Sequence, residues 1–375
     1  MRLQRFGLQS TGIPMWNLIT SLLSGFRQRD EDSSSPYALT GTALILGGIG
    51  LTSPAFKDAA LSFVNNVFHL SLSLDAPWWI GPPLIVVGFV LLLIAFVDKR
   101  SGNHKGQFVA IRHQSFQPLT GQLPAEALPR RMRRRKVQHY SCDQSNFLSS
   151  GVVDPTGAVR QQERLAIHIS GVRNADPDAA FGYYGIVHIP LQFLAGCSIS
   201  TYPEVALFEL NRSDNKWYEL QRDRGPDLNP KLVRTLDPAA PSAVVVRINI
   251  SYAVPTHEPA KIIAGPYREY DLSIARPGID KVTHYDQINA VCEIFRAVLD
   301  EVHNELDSGL QVHVFYAGPV SLGFSLGRRI SRTIHNRVYV YNYTSQTSPA
   351  YAWGLDVTRD SPPESMVVTT TLIGP

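Results

Sequence analysis

The chain has 375 residues, enough for more than one folded unit, and a formal net charge of +3. Its mean hydropathy of -0.06 averages over a strongly uneven distribution of apolar residues, so the class is read segment by segment. The three cysteines, Cys142, Cys197 and Cys292, lack metal-ligand spacing, which excludes a cysteine-ligated zinc site and points to unpaired thiols in a reduced compartment.

Residues 1–36 are polar or amphipathic. Met15, Trp16, Leu18, Ile19, Leu22, Leu23 and Phe26 recur at helical spacing, which predicts a short helix lying in a membrane interface or docked on the protein itself. Residues 37–100 contain two stretches without a charged side chain, Tyr37 to Phe56 and Pro77 to Val97. Each is long enough to cross a hydrocarbon core of about 30 Å. The second is bounded by Trp78 and Trp79 at one end and by Asp98, Lys99 and Arg100 at the other, an aromatic anchor opposite a basic stop. In the first, Ala43, Gly47 and Gly50 share a face on which small residues permit close helix packing.

Some thirty-five residues precede the first span, so a cleaved signal peptide is not expected and both spans stay in the mature chain. Lys57 is the only Lys or Arg between the spans, whereas Arg27 and Arg29 precede the first and Lys99, Arg100, Lys105 and Arg112 follow the second. That asymmetry places both termini in the cytoplasm. Between the spans, Phe56, Ala60, Phe63, Val64 and Val67 repeat with a period near four, suited to resting on the outer surface.

Residues 101–155 read as an irregular linker broken by Pro118, Pro124 and Pro129. It carries a basic run of Arg130, Arg131, Arg133, Arg134, Arg135 and Lys136. Near a cytoplasmic face such a run attracts anionic lipid at about 1 kcal/mol per residue; a solvated linker and a nucleic-acid contact are the other readings.

Residues 156–375 alternate strand-like and helix-like segments, the pattern of an α/β fold. Strands are predicted over Arg164 to Ser170, Gly185 to Ile189, Ala206 to Leu210, Ala243 to Ile250, Leu310 to Tyr316 and Arg337 to Tyr343. Helices are predicted over Tyr285 to Leu306, capped by Thr283, and over Ser321 to His335. Continuous Val and Ile runs such as Val244 to Val246 suit strands buried on both faces of a mostly parallel sheet. The Ala317-Gly318-Pro319 turn then lies at a strand's carboxyl end before a helix N-terminus, where open parallel sheets gather ligands and phosphate.

Gly323-Phe324-Ser325-Leu326-Gly327 matches the G-x-S-x-G elbow of serine hydrolases. The elbow needs its serine on the turn straight after a strand, whereas Ser325 falls inside the predicted helix. His335 is the only histidine that follows, with no Asp or Glu between them. A P-loop, an H-E-x-x-H pair and a Cys/His cluster are all missing, so no catalytic set is assembled and an enzyme is not expected. A membrane-tethered hydrolase using Ser325, and a membrane receptor or scaffold for another ligand, stand as alternatives. Tyr339, Tyr341 and Tyr343 share one strand face, suited to packing or to ligand stacking; His168, His188 and His313 read as core histidines.

The run from Leu310 through Gly318-Pro319 to Gly327-Arg328-Arg329-Ile330, followed by Arg337-Val-Tyr-Val-Tyr-Asn-Tyr, resembles the C-terminal crossover of SAVED domains. These are the sensor modules of bacterial CBASS anti-phage systems. The preceding helix around Ile288 to Phe295 and the strand Val244 to Ser251 keep the order, and the resemblance spans about residues 160–345. It implies two fused CARF-like Rossmann halves that bind a cyclic oligonucleotide made by a partner CD-NTase, a trinucleotide favoured over a dinucleotide, with no cofactor and no metal. Joined to two membrane helices, it implies a multi-pass effector of the bacterial inner membrane that oligomerises on ligand and disrupts the bilayer. The implied contacts are Ser170, Gly171 and Arg173 at the end of a first-half strand, with Ser251, Tyr252, Gly318, Pro319 and Ser321 in the second half. Serines and backbone amides would bond phosphate or ribose, Arg173 would offset phosphate charge and Tyr252 would stack on a base.

Overall fold

The computed structural model describes residues 36–52, 79, 81–100, 106–116, 123–133, 135–148, 153–200, 204–211, 214–359 and 362–370. The helix predicted within residues 1–36 and the period-four segment between the spans lie outside the described residues. The chain divides into two compact units, Met1–Asn103 and His104–Pro375.

In the first unit, helices α1 (Pro36–Thr52) and α2 (Gly81–Arg100) form an antiparallel pair. Glycine decides how close they come. A Cβ on Gly41 would sit 2.7 Å from the Gly88 carbonyl oxygen, and one on Gly48 would sit 2.7 Å from that of Gly81. The seam is therefore Gly41 and Gly48 against Gly88 and Gly81, about half a turn round the helix from the Ala43, Gly47 and Gly50 face that the sequence suggested. Val86, Val87, Phe89, Val90, Leu93 and Ile94 are left exposed along α2. Among the described residues no helix is long and apolar enough to cross a membrane. Helix α1 has 17 residues, and α2 has 20 of which the last three are charged. The described apolar helical length is thus about 26 Å in each, against a core of about 30 Å.

The second unit is α/β and mostly parallel, in two halves. The first is a five-stranded sheet in the order β2 (Val137–Asp143), β1 (Phe108–Gln114), β3 (Ala180–Ile186), β4 (Val205–Asn211) and β5 (Lys216–Glu219), with only β5 antiparallel. The second has seven strands in the order β12 (Val367–Thr369), β11 (Trp353–Asp356), β10 (Val338–Asn342), β9 (Val312–Ala317), β7 (Ala243–Asn249), β8 (Tyr267–Ser273) and β6 (Lys231–Leu236). Its four central strands are parallel. All seven residues of β7 are buried, as a strand covered on both faces requires. The covering helices include α5 (Pro155–Ala175), α6 (Ile189–Ser198), α7 (Tyr285–Glu305) and α8 (Val320–Gly327), numbered after two four-residue turns, α3 (Arg130–Arg133) and α4 (Ser145–Leu148).

Several expectations are corrected. The linker over 101–155 instead contributes β1 and β2, because Phe108, Val109, Ala110 and Ile111 are completely buried and pair into the sheet while Pro124 and Pro129 fall outside the strands. Three members of its basic run are engaged within the protein: Arg131 pairs with Glu219 at 2.6 Å, Arg133 donates to the Leu128 and Glu126 carbonyls, and Arg135 donates to that of Asp178. The strand predicted over Arg164 to Ser170 lies inside α5. Leu165, Ile167 and Ile169 alternate, yet the buried positions are Ala158, Val159, Gln162, Leu165 and Ile169, spaced by three and four, and Ile167 is 72% exposed. Asp154 accepts from the Gly157 amide and Pro155 opens the first turn, so a capped helix start outweighs a short alternation.

Helix α8 stops at Gly327 instead of running to His335, since Arg329 and Ile330 donate to the Leu326 and Gly327 carbonyls in tight turns. The cap of α7 is His284 in place of Thr283, with the Gln287 side chain accepting from the His284 amide. His168 accordingly lies in α5 and His188 caps α6.

Candidate functional site

In the seven-stranded sheet the chain moves outward from β7 to β8 on one side and from β9 to β10 on the other. The strand order thus reverses between β7 and β9, the place where an open α/β sheet leaves a crevice beyond its strand ends. A cavity of about 570 Å³ opens there, within the size range of ligand pockets. It is lined from both halves. Gly185, Ile186, Ile189, Glu209 and Tyr218 come from the first, and the carboxyl ends of β7, β8, β9 and β10 supply Ser251 to Pro255, Gly278 to Val282, Tyr316 to Val320, Tyr343 and Tyr351.

The second-half wall is fixed from beneath by buried charge. Arg247 on β7 meets Glu269 at 2.9 Å and Asp271 at 2.6 Å, and its third nitrogen donates to the Val254 carbonyl at 2.9 Å. Asn249 accepts from the Val254 amide at 2.7 Å and donates to Asp271 at 3.0 Å. Both backbone groups of Val254 are thereby held by β7 side chains, which sets the path of the Ser251 to Pro255 loop. The Ser251 amide also donates to the Ala317 carbonyl at 2.8 Å, tying the loop to the next strand end.

The Gly318-Pro319 turn is held by Tyr316, whose hydroxyl donates to the Pro319 carbonyl at 2.7 Å. A Cβ on Gly318 would lie 2.4 Å from that hydroxyl, so glycine is what lets the tyrosine fold beneath the turn. Burial, and then the Glu209 carboxylate, push the Tyr218 hydroxyl up to about 12 and the Tyr316 hydroxyl well above its ordinary value. Both are neutral donors at physiological pH. At the mouth, Tyr252 and Tyr343 are 58% and 50% exposed, and the Tyr343 ring lies 5.4 Å from that of Tyr351. Exposed aromatic rings at a cavity mouth suit base stacking.

Of the residues implied by sequence, Ser251, Tyr252, Gly318 and Pro319 line the cavity. Ser321 sits beside it in the first turn of α8, its amide donating to Glu209 Oε1 at 2.7 Å. Ser170, Gly171 and Arg173 belong to the last two turns of α5 and do not line the cavity, because the segment that would end a strand there is helical. The first half instead contributes Gly185, Ile186, Ile189, Glu209 and Tyr218, which sequence reasoning missed. Ser325 lies within α8, buried, donating to the Ser321 carbonyl at 2.7 Å, so it does not stand on a strand-to-helix turn.

A signal for the missed half exists in the sequence. Leu191-x-Phe193-x-x-Gly196 and Leu322-x-Phe324-x-x-Gly327 are one pattern written twice. The first is in α6 following β3, the second in α8 following β9. The repeat superposes Gly185 on Tyr316, Ile186 on Ala317 and Ile189 on Val320, so equivalent positions of the two halves face one cavity.

The family model described as "SMODS-associated and fused to various effectors sensor domain", or SAVED, matches residues 162–357, just over half of the chain. No curated protein matches. Among solved structures, the Cap4 SAVED/CARF-domain containing receptor of Acinetobacter baumannii with the cyclic trinucleotide 3'3'3'-cAAA aligns with a TM-score of 0.45 and 11% identity. That alignment covers 77% of this chain and 64% of the receptor, so the chain spans less than two thirds of its length. The same receptor with 2'3'3'-cAAA aligns at 0.45 with 12% identity, covering 91% of this chain and 85% of that one.

Proposed function

Because the chain belongs to the SAVED sensor family, we propose that it is a receptor for a cyclic oligonucleotide bound in the cavity between its two halves. The carrying observation is the cavity itself, at the strand-order reversal, with a Gly-Pro turn at a helix N-terminus and exposed Tyr252 and Tyr343 at the mouth. Ser251 and the turn residues Gly318 and Pro319 would meet sugar and phosphate, and the two tyrosines would stack on bases. A cavity of about 570 Å³ lined from seven strands in both halves supports a cyclic trinucleotide over a dinucleotide. Its source would be a CD-NTase of a CBASS system, and the protein is then a sensor with no catalytic step of its own.

The α1–α2 pair is the effector part of this reading: a multi-pass anchor in a bacterial inner membrane with both termini cytoplasmic. What supports it is the absence of charge within both apolar stretches, the glycine seam and the row of exposed apolar side chains on α2. A span of about 26 Å is accommodated by modest local thinning of the bilayer, at fractions of a kcal/mol per Å. Ligand binding would assemble the sensor units into an oligomer, bring the helix pairs together and open the membrane.

Calorimetric titration of the full-length protein against a panel of cyclic di- and trinucleotides, with particle size measured before and after, tests the reading. Saturable binding accompanied by growth in size is expected. A folded protein that binds no member of the panel overturns it.

A further inference from the structure

The cavity proposed to take an anionic ligand is short of positive charge. Its charged lining residues are Glu209, Asp280 and Lys281, two carboxylates against one ammonium. Glu209 occupies a telling place. It leaves β4 in the first half and reaches across to α8 in the second, where Oε1 accepts from the Ser321 amide at 2.7 Å. A helix N-terminus carries unsatisfied amides and partial positive charge, the position a phosphate would favour. Here a carboxylate already holds it, through a short charge-assisted bond. A second group at the same turn is unsatisfied: Ser321 Oγ is buried and has no hydrogen-bond partner among the described residues. A buried hydroxyl without a partner carries a cost that an arriving acceptor relieves.

We propose that Glu209 is an internal stand-in for a ligand phosphate: it caps α8 in the free protein and is displaced when a phosphate oxygen takes the Ser321 amide and hydroxyl. This rests on the receptor reading above and assigns the resting state of its site. A carboxylate and a phosphate oxygen cannot both take the Ser321 amide, which offers a single hydrogen, and two anions at one helix end repel. Ligand therefore gains only the difference between its own bond to α8 and the one Glu209 gives up. Glu209 sets the concentration at which the sensor responds, and its release breaks a hydrogen bond that ties β4 of the first half to α8 of the second.

The test is Glu209→Gln in the full-length protein, which keeps an oxygen acceptor of the same shape and removes the charge. Thermal melting is followed without ligand, and binding is titrated with the tightest member of the cyclic nucleotide panel. The substitution should lower the melting temperature of the free protein and tighten binding several-fold, up to about tenfold, opposite signs that a merely structural residue would not produce. Unchanged or weaker binding by the folded variant, with wild type binding normally, overturns the stand-in role and leaves the receptor reading intact; weaker binding would make Glu209 a direct ligand contact. No binding by either protein overturns both. Glu209→Ala serves as the second variant, and tighter binding there too is expected, since it also vacates the helix end.

Discussion

His113 and His313 are shut inside the two sheets with neutral partners only. His113 Nε2 faces the Gln144 amide oxygen at 2.8 Å, which only accepts, so that nitrogen carries the proton; Nδ1 then accepts from the Tyr183 hydroxyl at 2.8 Å. His313 Nδ1 lies 2.8 Å from the Tyr341 hydroxyl. Burial pulls both imidazoles down to about 4, against an ordinary value near 6.5. Their folded forms refuse a proton that the unfolded chain takes up, so the stability they contribute is complete above pH 6.5 and is lost as pH falls from 6.5 towards 4. Each contributes a slope approaching 1.4 kcal/mol per pH unit in that window. Burial pulls His188 down to about 4 as well, so three imidazoles share this window. The melting temperature should therefore fall steeply between pH 6.5 and pH 5, and His113→Gln should flatten about a third of that part of the slope. An equal slope in wild type and variant would show that His113 is not the titrating group. Sequence alone made His313 a core residue, correctly, but could not see His113, because a strand inside an apparent linker hides its own burial.

Helices α6 and α8 cross where their glycines meet each other's backbone. A Cβ on Gly196 would sit 2.0 Å from the Phe324 carbonyl oxygen, and one on Gly327 would sit 2.1 Å from that of Phe193. The reciprocal contact is one between two copies of the Leu-x-Phe-x-x-Gly pattern, and it joins the halves that line the cavity. It also explains the hydrolase-like Gly323-x-Ser325-x-Gly327: Gly327 is required by the crossing, Gly323 by the Gln192 side chain 2.6 Å from its Cβ direction, and Ser325 is incidental. Gly327→Ala should cost about 1–3 kcal/mol or more by forcing the helices apart, read as a lower denaturant midpoint, and should weaken ligand binding. Ser325→Ala, losing one intrahelical side-chain bond, should cost about 1 kcal/mol or less and leave binding unchanged. A Gly327 variant as stable as wild type would mean that the crossing relaxes freely. The central strands β4, β7, β9 and β10 and helix α7 were legible as Val- and Ile-rich or strongly periodic segments. The failures came where two periods compete over a short run, as at Leu165 to Ile169, or where a helix is ended by a packing glycine with no breaker beyond it, as at Gly327.

At the scale of the whole chain the two units carry different physics. The sensor unit offers a cavity lined by hydrogen-bonding groups and exposed rings; the helix pair presents an apolar surface held together by a seam in which a single methyl group cannot fit. The charge-free stretches announced the pair in the sequence, but which glycines form the seam depends on helix rotation, and composition does not report rotation. Structure moves the decisive positions to Gly41, Gly48, Gly81 and Gly88. Gly88→Leu puts a branched side chain where the Gly41 carbonyl oxygen is already 2.6 Å from a Cβ, so the pair must separate or re-register. If the units act in sequence, sensor first and helices second, the variant should bind cyclic nucleotide within about twofold of wild type. In dye-loaded liposomes it should release little dye on adding ligand, whereas the wild-type protein empties them. Release by the variant at the wild-type rate would remove the seam from the output step. Parallel loss of binding and release would show that the helix pair helps to build the sensor's competent state, and that signal does not simply pass from one unit to the other.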